Sequence, residues 1–229
     1  MIIQAIGDTH APAMHKRYVQ HCAKIRDAWQ PERFIHVGDI VDWHAISFHS
    51  REPGSPTAEQ EIEAARKQLH KLHAEFPEMT ILIGNHDAIP ARKFQEYGLP
   101  LDLLPSRFLE SGWADFWDTP SWTFVPRFGS VEVDKVIYQH GDKGIARFPS
   151  ALHNAKANFR SCVQGHHHAQ AGVWWYATEK AKIFGLQTGC GVDHRVLTQS
   201  YGRKFNAKPI LGCGVVIDGT HAYCETMDL

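Results

Sequence analysis

Residues 1–10 read MIIQAIGDTH. Ile2, Ile3 and Ile6 make a short apolar run that stops at Gly7-Asp8-Thr9-His10. A run of this length, rich in β-branched residues, reads as a buried strand. Asp8 and His10 sit two residues apart on a chain leaving that strand, so both can reach one ion. The same pattern recurs four times. Residues 34–37 run into GDIVDWH, 80–83 into GNHD, 136–139 into HGDKG, and 161–164 into GHHH. Gly7, Gly38, Gly84 and Gly165 each precede a polar cluster, where the backbone must turn sharply and approach closely.

Helical stretches separate most of these runs: 15–29, 57–75 and 150–159. Thr57 reads as an N-cap with Gln60 completing a capping box, and Glu59 and Glu61 suit the first turn. Ser150 reads as the cap of the third helix. Strand alternating with helix implies a substantially parallel sheet. Ligands in such sheets gather at the carboxyl ends of the strands, where every polar cluster falls. The tail changes character: AGVWWYA, KIFGLQTG, GCGVVIDG and HAYCETM are closely spaced strands of meander-like type. The expected whole is an α/β sandwich of two sheets. Between 88 and 134 lies an irregular segment with Trp113, Phe116, Trp117, Trp122 and Phe124 and several prolines. It reads either as a covered excursion with its own small core or as a lid or substrate wall.

The 229 residues suit one domain, 1–229, and hydrophobic (43%) and charged (21%) fractions are those of a globular chain. A net charge of −1 supplies no field to hold long duplex nucleic acid. Five cysteines, an odd number with no CxxC pair, argue against a disulfide framework and a thiolate zinc site. They point to a reducing cytoplasm. The short, quickly polar N-terminus and the absence of a long apolar run point away from a signal peptide and a membrane. Histidine is the anomaly, at 16 residues, and it is both the commonest metal ligand and the usual proton shuttle.

The strand ends supply Asp8 and His10; Asp39, Asp42 and His44; Asn85, His86 and Asp87; His140 and Asp142; and His166, His167 and His168. This mixture of carboxylates, imidazoles and an amide suits Mn²⁺, Fe, Zn²⁺ or Ni²⁺ better than Ca²⁺ or an all-oxygen Mg²⁺ site. There are more donors than one ion needs. Two metals about 3.5–4 Å apart are the usual device for displacement at phosphorus.

The ordered set GDTH, GDIVDW, GNHD, HG and GHHH, from residue 7 to residue 168, resembles the motifs of the calcineurin-like metallophosphoesterase superfamily. The resemblance implies an αββα four-layer sandwich, with mixed sheets and a mainly parallel βαβ N-terminal part. It also implies two divalent ions, manganese first, and hydrolysis of phosphoesters. Carried over by position, Asp8, His10 and His168 would hold one metal, and Asn85, His140 and His166 the other, with Asp39 bridging. His86 would be the general acid and Asp42 would orient it. A hydroxide bridging the ions would attack phosphorus in line. Asp142 and Asp87 are candidates to hold ligand tautomers. Of the three adjacent histidines, His166 and His168 should face the site and His167 should face away.

One departure bears on the substrate. Many phosphomonoesterases of this superfamily carry Arg after the second Asp of GDxxD, and this chain carries Trp43. Arg grips a terminal phosphate bidentately and Trp cannot. The expectation is therefore a diester, from a nucleotide or other small organic molecule, that Trp43 could stack against. His194 and Arg195, in the loop after Cys190, are candidate phosphate contacts. Cys190 has no evident activating base. A nuclease acting on single-stranded or terminal nucleic acid is the alternative, through a groove drawn from Arg92, Lys93, Arg107, Arg127, Lys143, Arg147, Arg203, Lys204 and Lys208. A phosphomonoesterase is disfavoured, and a non-catalytic scaffold more so because no motif residue is missing. The sequence leaves the oligomeric state open.

Overall fold

The N-terminal apolar run forms β1, Ile2–Ile6, in the interior of a six-stranded sheet. This is a computed structural model, and it describes residues 1–196 and 206–228. Parallel to β1 runs β2 (Arg33–His36), then β3 (Thr80–Leu82), then β4 (Thr123–Val125). The antiparallel hairpin of β10 (Gly212–Ile217) and β11 (His221–Thr226) extends the sheet on the far side of β1. A second sheet has the order β5 (Val131–Val133), β6 (Val136–Gln139), β7 (Ser161–Gln164), β9 (Lys182–Thr188), β8 (Ala171–Ala177). Its three central strands are parallel and its two edge pairings antiparallel.

The period-two pattern decides what each face meets. Ile3, Ala5, Ile35, Leu82 and Val216 of the first sheet pack on Val136, Tyr138, Val163, Phe184 and Leu186 of the second. The opposite face of the first sheet, through Ile6 and Ile81, packs on α1 (Tyr18–Trp29) and α2 (Ala58–Glu75), which contribute Tyr18, Cys22, Leu69 and Leu72. Each fully buried aliphatic side chain contributes roughly 1.5–3 kcal/mol. On the outer face of the second sheet lies α5 (Ser150–Asn158), with Ala151 and Ala155 buried. The layers therefore run helix, sheet, sheet, helix.

The capping box at Thr57 and Gln60 forms. Ser150 does not cap its helix; its hydroxyl bonds Gln170 and Gln187 within a buried polar layer. The tail strands are two hairpins divided between the sheets, not one meander, because their apolar periods are alike and only long-range pairing assigns them. Between 88 and 134 the chain forms α3 (Ile89–Glu96) and α4 (Trp113–Trp117), then β4 and β5, each strand three residues long. Trp113, Trp117 and Trp122 join the core beneath α1 and α2 and build no core of their own. No helix among the described residues is long and apolar enough to cross a membrane. Arg203 and Lys204 lie outside the described residues.

Candidate metal centre

Each expected ligand sits just past the carboxyl end of a parallel strand. Asp8 and His10 follow β1, Asp39 follows β2, Asn85 follows β3, His140 follows β6, and His166 and His168 follow β7. Packing the sheets face to face brings these ends together. Donor atoms of Asp8, His10, Asp39 and His168 lie within 4.8 Å of one another, as do those of Asp39, His140 and His166. Asp39 belongs to both groups. Asn85 adjoins the second group, its Oδ1 3.0 Å from His140 Nε2. A third group, His10, Asp42 and His86, adjoins the first.

The backbone is bent hard to achieve this. His10, Asp39 and His166 have φ of 45°, 49° and 67°, in the left-handed region that side chains rarely adopt. Such residues cost roughly 1–3 kcal/mol each and persist only where their surroundings hold them. Two glycines let the loops close. A Cβ on Gly84 would strike the Asp39 carboxylate, and one on Gly165 would strike that of Asp8.

The residues fit a cation. Asp8 Oδ1 and His10 Nε2 are buried without a hydrogen-bond partner, although both lie in the first group. Buried polar atoms are normally satisfied, so an orphaned pair of donors for a metal marks where an ion belongs. Charge tells the same story. Burial disfavours a charge on His140, but Asp39, 3.3 Å away, and Asp8 lift its imidazolium to about 10. Burial raises Asp39, yet the facing His140 and His10 hold it well below the carboxylate range.

Supporting contacts set the imidazoles. His140 Nδ1 is 2.9 Å from the Val37 carbonyl. Asp42 Oδ1 is 2.9 Å from His10 Nδ1 and 3.0 Å from His86 Nδ1. The expected Asp42–His86 contact is present; the Asp42–His10 contact was not legible, since sequence spacing does not show that two loops share one oxygen. His36, which burial keeps neutral, at about 4, is a core residue beside the Thr9 hydroxyl. Glu61, expected only to favour its helix dipole, is 2% exposed and accepts the backbone N–H groups of His44 and Ala45. An acidic residue in a first turn was the only available signal.

The remaining candidates stand outside the three donor groups. Asp87 accepts the N–H groups of Gly84 and Val41, and so clasps two loops; burial raises its carboxyl to about 7. Asp142 accepts two hydrogen bonds from Arg127. Neither carboxylate holds a ligand imidazole among the described hydrogen bonds. Trp43 is 3% exposed and packs against Phe108, Phe116 and Trp117, so its ring offers no open face for a substrate to stack on. Its backbone, at φ 51°, turns the ring into the core. His194 and Arg195 line a small cleft with His15, Arg17 and Leu211, apart from the residues of the metal groups. The Arg195 guanidinium is held by Asp193. His167 joins none of the three groups. Cys190 is buried, and burial raises its thiol far above the reactive range.

A family model described as calcineurin-like phosphoesterase matches residues 1–194. A search of curated proteins finds no match. Among solved structures, a Vps29 single mutant from Entamoeba histolytica is similar at 11% identity, covering 100% of this chain and 99% of that one, with a TM-score of 0.44. Vacuolar Protein Sorting 29 from Cryptosporidium parvum is similar at 13% identity, covering 100% and 98%, with a TM-score of 0.46. Yfce, described as a phosphoesterase from E. coli, is similar at 14% identity, covering 94% and 87%, with a TM-score of 0.40.

Proposed function

The chain belongs to the calcineurin-like phosphoesterase family, and on that premise we propose that it hydrolyses a phosphodiester, of a nucleotide or another small organic molecule, with two divalent cations. The observation that carries this reading is Asp39 shared by two donor groups, with His86 and Asp42 set against the first. Asp8, His10 and His168 would hold one ion and Asn85, His140 and His166 the other. When bound, the cations supply positive charge to the phosphoryl oxygens and make a water acidic enough to attack near neutral pH. Nitrogen and oxygen donors without thiolate favour manganese, with Fe, Zn²⁺ or Ni²⁺ as alternatives.

His86 gives the proton to the leaving oxygen. Burial and the neighbouring His10 oppose a charge on it, but Asp39 and Asp42 raise its imidazolium above the ordinary value. The backbone carbonyl and the carboxylate of Asp42 each lie 3.0 Å from Nδ1, which leaves Nε2 to donate. The diester preference rests on position 43. A buried tryptophan stands where an arginine would grip a terminal phosphate. The five unpaired cysteines suit a reducing cytoplasm.

The test is turnover of bis(p-nitrophenyl) phosphate against p-nitrophenyl phosphate by the Mn²⁺-loaded protein. A panel of cyclic dinucleotides, nucleotide diesters and short oligonucleotides follows. Faster diester turnover is expected; a marked monoester preference overturns the reading of position 43, and no turnover with any divalent metal sinks the enzyme. His86→Ala should lower turnover about 10²–10⁴-fold with metal content retained. Loss of metal would make His86 a ligand instead.

A further inference from the structure

Beside the second donor group stand two guanidiniums that the chemistry above does not use. Arg92, on α3, gives Nη1 to the backbone carbonyl of Asn85 at 3.1 Å. Arg127 gives Nε and Nη2 to one oxygen of Asp142, at 3.0 and 2.8 Å, in the loop just past His140. Each arginine is thus tied to a loop that carries a candidate ligand of the second ion. Neither is used up. Arg92 keeps Nε and Nη2, and Arg127 keeps Nη1, outside any hydrogen bond among the described residues. Arg92 stands in no ion pair among those residues, whereas Arg127 is offset by Asp142 alone.

The pair is also electrostatically unfinished. Both groups are cations, and Asp142 is the single carboxylate paired with either of them among the described residues. Like charges brought together and partly dried are costly unless an anion joins them. Arg92 lies over the Phe48 ring at 4.8 Å and Arg127 over the Phe128 ring at 4.4 Å. The two unspent nitrogens of Arg92 and the one of Arg127 give planar, directed donors that suit a phosphate better than a single-point cation does.

We propose that Arg92 and Arg127 form a subsite for a second phosphate of the substrate, beyond the scissile ester on the side of Asn85 and His140. This rests on the phosphoesterase reading and narrows it: the substrate carries at least two phosphate groups. The subsite selects a neighbouring phosphate and not the reacting one.

The test compares thymidine 5′-(p-nitrophenyl phosphate) with the same ester bearing a 3′-phosphate, on the Mn²⁺-loaded protein. The 3′-phosphorylated ester should have kcat/KM about tenfold higher, mostly through KM. Arg127→Ala, and the double variant with Arg92→Ala, should bring the ratio close to one. Metal content is measured in each, because Arg92 also supports Asn85; a variant that loses metal is set aside and Arg127→Ala decides. Equal kcat/KM for the two esters in the unsubstituted protein, or a ratio that the variants leave intact, overturns the subsite. If neither ester turns over, the enzyme reading fails by itself. Calorimetric binding of thymidine 3′,5′-bisphosphate against thymidine 5′-phosphate then reads the subsite. A preference that Arg127→Ala abolishes supports it, and no preference refutes it.

Discussion

Asp42 shows how much can hang on one carboxylate oxygen. Its Oδ1 faces Nδ1 of both His10 and His86, one a candidate ligand and the other the candidate acid. Asp42→Asn should therefore injure two functions together, weakening the first cation about 10–100-fold as well as slowing turnover. Metal titration of this variant beside His86→Ala separates the effects; equal metal affinity in both would remove Asp42 from the support of His10. The three adjacent histidines divide in a similar way. His168 Nε2 lies 3.1 Å from Asp8, whereas His167 belongs to no donor group. His168→Ala is expected to bind one equivalent of metal fewer, measured by elemental mass spectrometry. His167→Ala should keep both equivalents and lose at most about 1–2 kcal/mol of stability. The division was drawn from a period of two along a departing strand; the left-handed turn at His166 was not visible in the sequence.

At the scale of elements, α2 is joined to the site through Glu61. Its two carboxylate oxygens each accept a backbone N–H at 2.7 Å, from His44 and Ala45, and so pin the turn that follows Asp42. Burial raises its carboxyl from 4.5 to about 7. The folded pKa lies above the unfolded one, so between these values the folded state binds more protons. The contribution is fully present below about 4.5 and is lost as pH rises through about 7. Glu61→Gln turns an amide toward a backbone donor, a loss of about 1–3 kcal/mol that does not vary with pH. Relative to this variant, the unsubstituted protein should lose roughly 3 kcal/mol of stability across the window. Denaturant unfolding at a series of pH values checks this, and parallel curves would show that Glu61 is ionised throughout. The helix itself was plain from its capping box and apolar spacing. Its buried acid was not, because a glutamate in a first turn has the same sequence signature whether it faces water or a loop.

For the whole molecule, the aromatic stretch between 88 and 134 is tied to the site through the core. Trp117 packs 5.6 Å from Trp43, the neighbour of Asp42. Trp117→Ala should cost about 3–5 kcal/mol, as other large buried truncations do, seen as a fall in the unfolding midpoint. A small loss would mean that the segment packs independently of the main core. Sequence alone determined the strands that feed the site, the capped helix, the donor types and the order in which they arrive. Each of these rests on local spacing, which the chain fixes within a few residues. Only the tertiary structure decided which tail hairpin joins which sheet, that Trp43 turns inward, that Asp42 serves two imidazoles, and that Arg92 and Arg127 are tied to the loops of Asn85 and Asp142. Most of those facts join residues tens of positions apart, and the packing of two sheets, not the periodicity of any one segment, brings them within a few ångströms.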